Sequence, residues 1–552
     1  MMMLAVYLTA TAFIIAAAFI TFSTPGRYFA NMAALNLVGA AAALCLAGLA
    51  EGIYFNHDGY FGDFWTATEA LNKARHGLLS SVDFFSPIGP VYYHVYGLAA
   101  ALDSTPTAST VMHAGALAGL LALLLTVIML RRQMSLLGLS IVLLSVATVA
   151  VSGRGNGEVL SDAAMHFLAP YNRWAWALFI PVALRLVLPH RRDPWADLVL
   201  GLAIALLLML KVTYGAAALG LAGARFVLIS ESRRDSLFII VAFIATLGVF
   251  EAGTGQVSAY FKDLATTAQM PANGLRLRKL FAQFGEMALY GIIGAIAYLA
   301  TVERFPSRPL RLAEAAEFLR PIAFMSLLAG AGCAILMQNH YAFEAAVYPL
   351  VPLVALEWTN RLRGPAANDR AFDARARVLV SGAVMFVSFY PIVDIGMHVG
   401  QRLQYRLNGP DPAFAGTPYA DLRFEPYLIE QPTGLLNSVP DGRAGVLAGL
   451  EALRAAGAQD PGAGRVATLA FANPFPMLLN QPSPPGTPIW LHEGRSFTQS
   501  QYIEPGAMFQ GVGFLMIPRG GEATFEMYEA YIDTNFSYYR GGIYWILYLR
   551  DF

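Results

Sequence analysis

Long apolar segments recur through the first 400 residues and constrain the fold of this chain more than any other feature. A helix needs about 20 apolar residues to cross a bilayer core, and about twelve segments approach that length. They centre on 4–22, 31–50, 108–130, 136–152, 174–189, 195–210, 214–230, 236–252, 285–302, 321–337, 342–358 and 377–397. Of the 552 residues, 56% are hydrophobic and only 13% are charged, against about 25% charged in soluble domains. The pattern predicts a polytopic α-helical membrane protein.

Charge and cysteine usage exclude some classes of function. The formal net charge is +0, so no excess of positive charge predicts a nucleic-acid partner. Cys45 and Cys333 lie in apolar segments, where cysteine usually serves packing, and they do not form a disulfide framework. Residues 1–22 lack a basic start and a small-residue cleavage site, so we expect a retained first membrane helix.

Arginine is distributed unevenly between the loops and sets the expected orientation. Basic residues concentrate on alternate loops, which the positive-inside rule assigns to the cytoplasm; these loops carry Arg131-Arg132, Arg233-Arg234 and the arginines between 304 and 320. The outer face then holds residues 51–107, 153–173, the turn at Lys211, 253–284, 338–341 and everything after about residue 398. We expect a multi-pass protein of a bacterial cytoplasmic membrane with a periplasmic or extracellular tail.

The composition changes near residue 399. Pro/Gly-rich turns appear and no further spanning segment follows. Helical patterns lie near 443–456 and 521–533, and strand-like runs lie at 465–471, 489–492, 512–517 and 543–549. This mixture predicts a C-terminal soluble α/β domain over 399–552, after a transmembrane module over 1–398.

The first outer loop, 51–107, contains the longest polar interruption in the first 250 residues. It carries Asp58 and Asp63, a helix-compatible stretch with Glu69 that ends at Gly77, and then the segment SPIGPVYYHVYG. An aspartate just ahead of a helix is typical of an N-cap, and a catalytic carboxylate fits equally well. Since hard cations take oxygen ligands, a divalent metal at Asp58 with His57 is a further interpretation.

These residues resemble the pattern of the GT-C superfamily, membrane glycosyltransferases that use lipid-linked sugars. The similarity consists of an acidic residue in the first large outer loop, a helix that ends in glycine, and a Pro-rich aromatic entry to the next helix. The groups that resemble protein mannosyltransferases and aminoarabinose transferases are nearest. Two features depart from the family: Phe64-Trp65 follows Asp63 where glutamate is usual, and an extra helix precedes the loop.

The resemblance implies transfer of a sugar from a polyprenyl-phosphate donor to a hydroxyl of a glycan, lipid or protein acceptor. Such a reaction needs a general base for the acceptor proton and positive charge for the departing phosphate. Asp63 is the predicted base and Asp58 the second candidate. Predicted substrate- and phosphate-binding residues on the outer face are Arg173, His166, Asn172, Lys211, His340, Glu344, Arg276 and Arg278. No cofactor is required by the sequence, and a divalent metal stays open.

Each binding candidate also has a plain structural interpretation. Arg173 fits an interfacial anchor beside Trp174, and His166 fits a surface histidine. Glu344 fits the headgroup level, although an ionisable residue at membrane depth favours a functional site. Arg276 and Arg278 fit a basic amphipathic helix in contact with anionic lipid.

Two other classes of function remain as alternatives. A transporter or flippase of a lipid-linked or amphipathic substrate would distribute polar groups near the bilayer midplane, whereas here they cluster on one face. A non-catalytic assembly protein would use its tail to bind a partner. The sequence contains no Walker A motif, G-x-S-x-G elbow or H-E-x-x-H motif, which disfavours ATP hydrolysis and those hydrolase classes.

Overall fold

A computed structural model describes most of the chain. It covers residues 28–55, 61–103, 105–151, 169–189, 191–229, 233–271, 287–296, 298–299, 312–337, 346–363, 374–430, 439–460 and 462–551. Over these ranges the first 408 residues are almost entirely helical, and strands concentrate after residue 464. The predicted span at 4–22 lies outside the described residues.

Most of the apolar segments form helices at the predicted places, but the segment predicted at 342–358 becomes α-helical only at Val351, after a 3-10 turn at Tyr348–Leu350. In chain order they are α1 (Tyr28–Gly48), α2 (Phe61–Arg75), α3 (Pro90–Leu102), α4 (Thr110–Leu130), α5 (Leu136–Val151), α6 (Pro170–Val187), α7 (Pro194–Leu210), α8 (Val212–Leu228), α9 (Ser236–Thr254), α10 (Gln256–Ala268), α11 (Met287–Ile296), α12 (Leu312–Leu336), α13 (Val351–Arg363) and α14 (Ala374–Asn408). Among the described residues four stretches are long and apolar enough to cross a membrane, namely Ala30–Gly48, Thr110–Leu130, Ser236–Thr254 and Phe318–Leu336. The total of about twelve spans stays a prediction.

The helices pack into one bundle. α5 packs between α1, α4 and α6, while α7 packs against α8 and α9. α9 turns its apolar side chains outward, among them Ile240 and Ile244 at 52% and 62% exposure. An apolar surface of that extent on a long helix is what contact with lipid chains requires.

The strands of the described residues form two sheets. One pairs β1 (Ile53–Phe55) of the first outer loop with β2 (Leu422–Phe424). The other lies in the tail and contains β3 (Arg465–Thr468), β4 (Val512–Pro518), β5 (Phe536–Gly541) and β6 (Trp545–Arg550). The four-stranded sheet has the order β3-β4-β6-β5, with β3 parallel to β4 and the other pairs antiparallel. Helices α15 (Pro426–Glu430), α16 (Arg443–Ala455), α17 (Phe475–Leu478), α18 (Pro505–Met508) and α19 (Glu522–Asn535) complete it.

Most elements predicted for the tail are present, with three differences. The run at 489–492 forms no strand, and β5 is an additional strand that begins directly where α19 ends. The predicted boundary at 398/399 falls inside α14, which continues to Asn408. That boundary is therefore not a linker between two elements.

The first outer loop and the tail share one hydrophobic core. β1 of the loop pairs in parallel with β2, with Phe55 opposite Phe424, and the two rings stack at 5.2 Å. Phe64, Trp65, Tyr419 and Phe475 are fully buried members of the same core. The tail thus packs directly on the loop helix α2.

Candidate functional site

The loop helix α2 begins and ends where its local sequence directs. Asp63 lies in the first turn, and Lys73 and Arg75 lie in the last, so the charges complement the helix dipole. Gly77 follows in the left-handed conformation at φ 75°. Its N–H donates to Ala74 O at 3.1 Å and the Leu78 N–H donates to Lys73 O at 3.1 Å, which is a Schellman motif. The predicted glycine C-cap is confirmed.

Asp63 lies inside the helix, not ahead of it. It is the third residue of α2 and is half-buried, so the N-cap interpretation is wrong. Helix α2 starts earlier because Phe61 and Phe64 both enter the aromatic core, where Phe55 lies 5.0 Å and 5.2 Å from their rings. The carboxylate in the first turn still gains from the helix dipole.

A second carboxylate from the tail lies beside this first turn. A Cβ at Gly62 would lie 3.2 Å from Asp441 Oδ2 and 2.6 Å from Phe471 Cδ1. The Trp65 indole N–H donates to Asp441 O at 2.7 Å. Burial raises the pKa of the Asp441 carboxyl. Sequence reasoning missed Asp441, because its context, Pro-Asp-Gly, is typical of a surface turn.

The second half of α2 carries polar side chains with no exposure to solvent. Glu69, Asn72 and Lys73 are all 0% exposed, and Lys73 Nζ lies 3.8 Å from Glu69 Oε1. Burial raises the pKa of Glu69 to about 7, while Lys73 acts in the opposite direction. Burial lowers the pKa of Lys73 to about 8, and Glu69 partly offsets that shift.

The tail segment 481–487 supplies the partners of these buried groups. Ser483 Oγ donates to Glu69 Oε2 at 2.8 Å, and Asn72 Nδ2 donates to Ser483 Oγ at 2.7 Å. Lys73 Nζ donates to Pro484 O at 2.6 Å and lies 4.6 Å above the ring of Phe84. These contacts give hydrogen-bond partners to polar groups of α2 that would otherwise be buried in an apolar core without any.

Three predicted phosphate-binding residues come together on the bundle. Lys211 separates α7 from α8 with an extended backbone, and its Nζ donates to Asn172 Oδ1. The ammonium also lies 4.9 Å above the ring of Tyr171. Arg173 follows directly in α6 and is half-buried. The arrangement places Lys211 over aromatic rings at a break between two apolar helices, with Arg173 adjacent to its partner Asn172 in the first turn of α6.

Polar groups without a hydrogen-bond partner lie near Lys211. Among the described residues, Trp176 Nε1 and Thr213 Oγ1 are both buried atoms that lack one. Ala169, just ahead of Asn172, has a left-handed backbone at φ 42°, which costs free energy in a residue with a Cβ. Unpaired donors and local strain are typical of a ligand site.

The entry segment of the loop connects Lys211 with α2. The Gly89 N–H donates to Leu210 O at 3.1 Å, and a Cβ at this glycine would lie 2.0 Å from Met209 O. From there α3 packs Tyr92 against Tyr171 at 5.7 Å. At the other end, Phe84 contacts Tyr93 at 5.3 Å and also lies under Lys73. The loop helix and Lys211 are therefore on the same side of the bundle.

The helix α10 covers this entry segment. Asp263 Oδ2 accepts from the Ser86 N–H at 2.8 Å, and Gln256 is bound to His94 and to Ser80. Burial raises the pKa of Asp263 to about 6. α10 thus fixes the segment between α2 and α3 against the bundle.

Several predicted site residues lie outside the described residues. These are His57, Asp58, His166, Arg276, Arg278, His340 and Glu344. Within the described part of the chain, no group of three or more histidine, cysteine, aspartate or glutamate side chains is arranged to hold a metal ion. A metal at Asp58 and His57 stays a prediction.

Comparison with known proteins finds a likeness only among solved structures. No protein-family model matches the chain, and no curated protein matches it. Among solved structures the chain is similar to the crystal structure of ArnT from Cupriavidus metallidurans in the apo state, with 11% sequence identity over 93% of this chain and 97% of that chain. The TM-score is 0.40. At that level the likeness assigns neither a substrate nor a site residue.

Proposed function

We propose that the protein transfers a glycosyl group from a polyprenyl-phosphate donor to an acceptor hydroxyl at the outer face of a bacterial cytoplasmic membrane. The observation that carries this proposal is the contact of Lys211 with Asn172, next to Arg173. A cation over aromatic rings at a helix break, with a second cation close in the chain to its partner, suits a phosphate attached to a lipid chain, because the rings accept the chain and the cations accept the charge. The loop helix with the half-buried Asp63 lies on the same side of the bundle.

The chemistry assigns a role to each of these residues. The acceptor oxygen bonds to the anomeric carbon while the bond from that carbon to the phosphate oxygen breaks, and the anomeric configuration inverts. The bonding electrons leave with the polyprenyl phosphate, and Lys211 and Arg173 hold its negative charge. The Asp63 carboxylate accepts the acceptor proton. Asp58 remains the second candidate for this base.

A transfer assay tests the proposal. Purified protein in lipid nanodiscs is incubated with a panel of polyprenyl-phosphate sugars and with membrane glycans, lipids or proteins as acceptors. Asp63→Asn should lower turnover by about 10²–10⁴-fold, the usual contribution of a general base. Asp533→Asn is the matched control, because Asp533 is an exposed carboxylate on α19, and it should behave as the wild type.

Two outcomes would count against the proposal. Equal turnover of Asp63→Asn and the wild type would remove Asp63 from the role of base and leave Asp58 to be tested in the same way. No transfer with any donor, together with tight binding of polyprenyl phosphate, would favour a transporter or flippase.

A further inference from the structure

Three aromatic rings form a cluster in the tail, directly after β3. Phe471, Trp490 and His492 lie with ring centroids 5.9–6.1 Å apart and with each pair of planes inclined by 69–72°. The Leu491 N–H donates to Phe471 O at 2.8 Å and holds the two segments together. All three rings are half-buried, so each keeps part of its surface open to a ligand.

The cluster borders a shallow concavity of about 10 Å³, which has room for about one water molecule. Phe471 and Trp490 line it together with Asn473, Thr487 and Ile489. Asn473 is 6% exposed, and its Nδ2 donates to Val466 O at 2.9 Å. Its Oδ1 and the Trp490 indole N–H have no hydrogen-bond partner within the described part of the chain. Buried acceptors and donors are seldom left unpaired unless a water or ligand completes them.

The cluster extends to the first turn of α2. The edge of the Phe471 ring occupies the space beside Gly62, and Asp441 Oδ2 lies at the same point. Asp63 follows Gly62 in the chain. The aromatic cluster and the Asp441 carboxylate therefore lie beside the first turn of α2, while Asn473 and Trp490, with their buried polar atoms, line the concavity.

We propose that this surface, made of Asp441, Phe471, Asn473, Trp490 and His492, binds the acceptor and that the acceptor is a sugar. A pyranose ring has an apolar C–H face that packs on an aromatic ring, and its hydroxyls need both acceptors and donors at the edge. Carboxylates and an amide oxygen accept from hydroxyls, and the indole N–H donates to one. A protein acceptor would need a longer groove, and a lipid acceptor would need a continuous apolar one.

The concavity itself accepts a single hydroxyl group. Its volume of about 10 Å³ holds about one water molecule, so the sugar ring lies across the mouth on the aromatic rings and one of its hydroxyls enters. The remaining part of a glycan acceptor extends from the open mouth toward solvent. With its terminal ring on Trp490 and Phe471, a hydroxyl reaches toward the first turn of α2, where Asp63 lies. This acceptor site presupposes the transfer reaction proposed above.

Direct binding tests the site without any donor. The full-length protein in nanodiscs is titrated with the methyl glycosides of glucose, mannose, galactose, rhamnose and N-acetylglucosamine, and saturation-transfer NMR measures binding. At least one glycoside should bind the wild type, and Trp490→Ala should weaken it at least tenfold. Trp490→Phe should stay within about threefold, because it keeps an aromatic face for the sugar ring to pack on. Trp195→Ala is the control, because Trp195 is 73% exposed on α7.

A kinetic test separates the acceptor site from the transfer reaction itself. Trp490→Ala and Asp441→Asn should raise the acceptor KM at least tenfold and leave the donor KM unchanged. Glycoside binding by the wild type without transfer from any donor would overturn the proposed function and support the sugar site. Transfer with an unchanged acceptor KM in Trp490→Ala, or binding of no glycoside, would overturn the sugar site. If a water molecule is the sole occupant of the concavity, no glycoside will bind.

Discussion

The Ser483 hydroxyl donates a 2.8 Å hydrogen bond to the Glu69 carboxylate, although the two residues are 414 positions apart in the sequence. This bond joins the tail to the helix that carries Asp63. It lies in a region where Glu69 and Lys73 have no exposure to solvent, so both charges depend on protein partners. The contribution of the Glu69–Lys73 pair to stability can therefore be measured by substitution of either residue.

Removal of one member of the Glu69–Lys73 pair should cost more than removal of both. At a pH between the pKa of Glu69, about 7, and that of Lys73, about 8, Glu69→Gln or Lys73→Met leaves a buried charge without its counter-ion, which typically costs about 3–5 kcal/mol. The double variant removes both charges and should be more stable than either single variant. Thermal unfolding in one detergent, followed for the four proteins, measures this cycle. Additive losses would show that the two groups do not interact.

Thermal stability should fall as the pH is raised from about 5 to 8, through Glu69. The pKa of this carboxyl in the folded protein is about 7, above its ordinary value of 4.5. The fold therefore holds a proton that the unfolded chain loses, and the stabilisation is fully present below pH 4.5 and lost as the pH rises through 7. Glu69→Gln should flatten the dependence of Tm on pH, while Glu451→Gln, at an exposed position of α16, should not. If Tm depends on pH in the same way in the wild type and in Glu69→Gln, the ionisation of Glu69 is not the cause of the dependence.

Lys211→Met should impair use of the donor. Loss of the ammonium beside Asn172 removes positive charge from the departing phosphate, and we expect donor kcat/KM to fall by about 10²–10³-fold. Lys211→Arg keeps the charge and should retain part of the activity. Lys262→Met serves as the matched control, because Lys262 is exposed on α10. Equal kinetics for Lys211→Met and Lys262→Met would remove Lys211 from the donor site.

Gly62→Ala should lower the stability of the contact between the tail and the first turn of α2. Its Cβ would lie 2.6 Å from a ring carbon of Phe471, so the ring has to move, at a cost of about 1–3 kcal/mol. Phe471→Leu added to Gly62→Ala should recover part of that loss, since the smaller side chain leaves space. Gly220→Ala meets no atom within 4 Å and is the control. The unfolding temperatures of these variants and of the wild type measure both the loss of stability and its recovery.

Local features of the fold were predictable from the sequence, while contacts over long sequence distances were not. The apolar segments and the glycine cap at Gly77 depend on neighbouring residues, and the structure contains both. β5 was missed because it follows α19 without a glycine or proline and carries exposed side chains at Ser537–Arg540. The strand prediction at 489–492 failed because apolar residues can also pack as an irregular segment.

The candidate site was predictable only in part, for the same reason. Lys211, Asn172 and Arg173 were recognised as polar residues beside apolar helices, and the structure brings them together. Asp441 and Ser483 gave no signal, because their importance comes from a helix 376 and 414 residues earlier, respectively. No local pattern indicates which distant helix a turn residue will contact.

The hydrogen bonds between α2 and segment 481–487 also determine when this part of the protein can complete its folding. During translation the loop helix leaves the ribosome early, but the hydroxyl and carbonyl groups that satisfy Glu69, Asn72 and Lys73 are synthesised only in the last part of the chain. Until then those side chains have to stay hydrated. A polypeptide terminated before residue 481 would insert its helices and still leave this site unfinished.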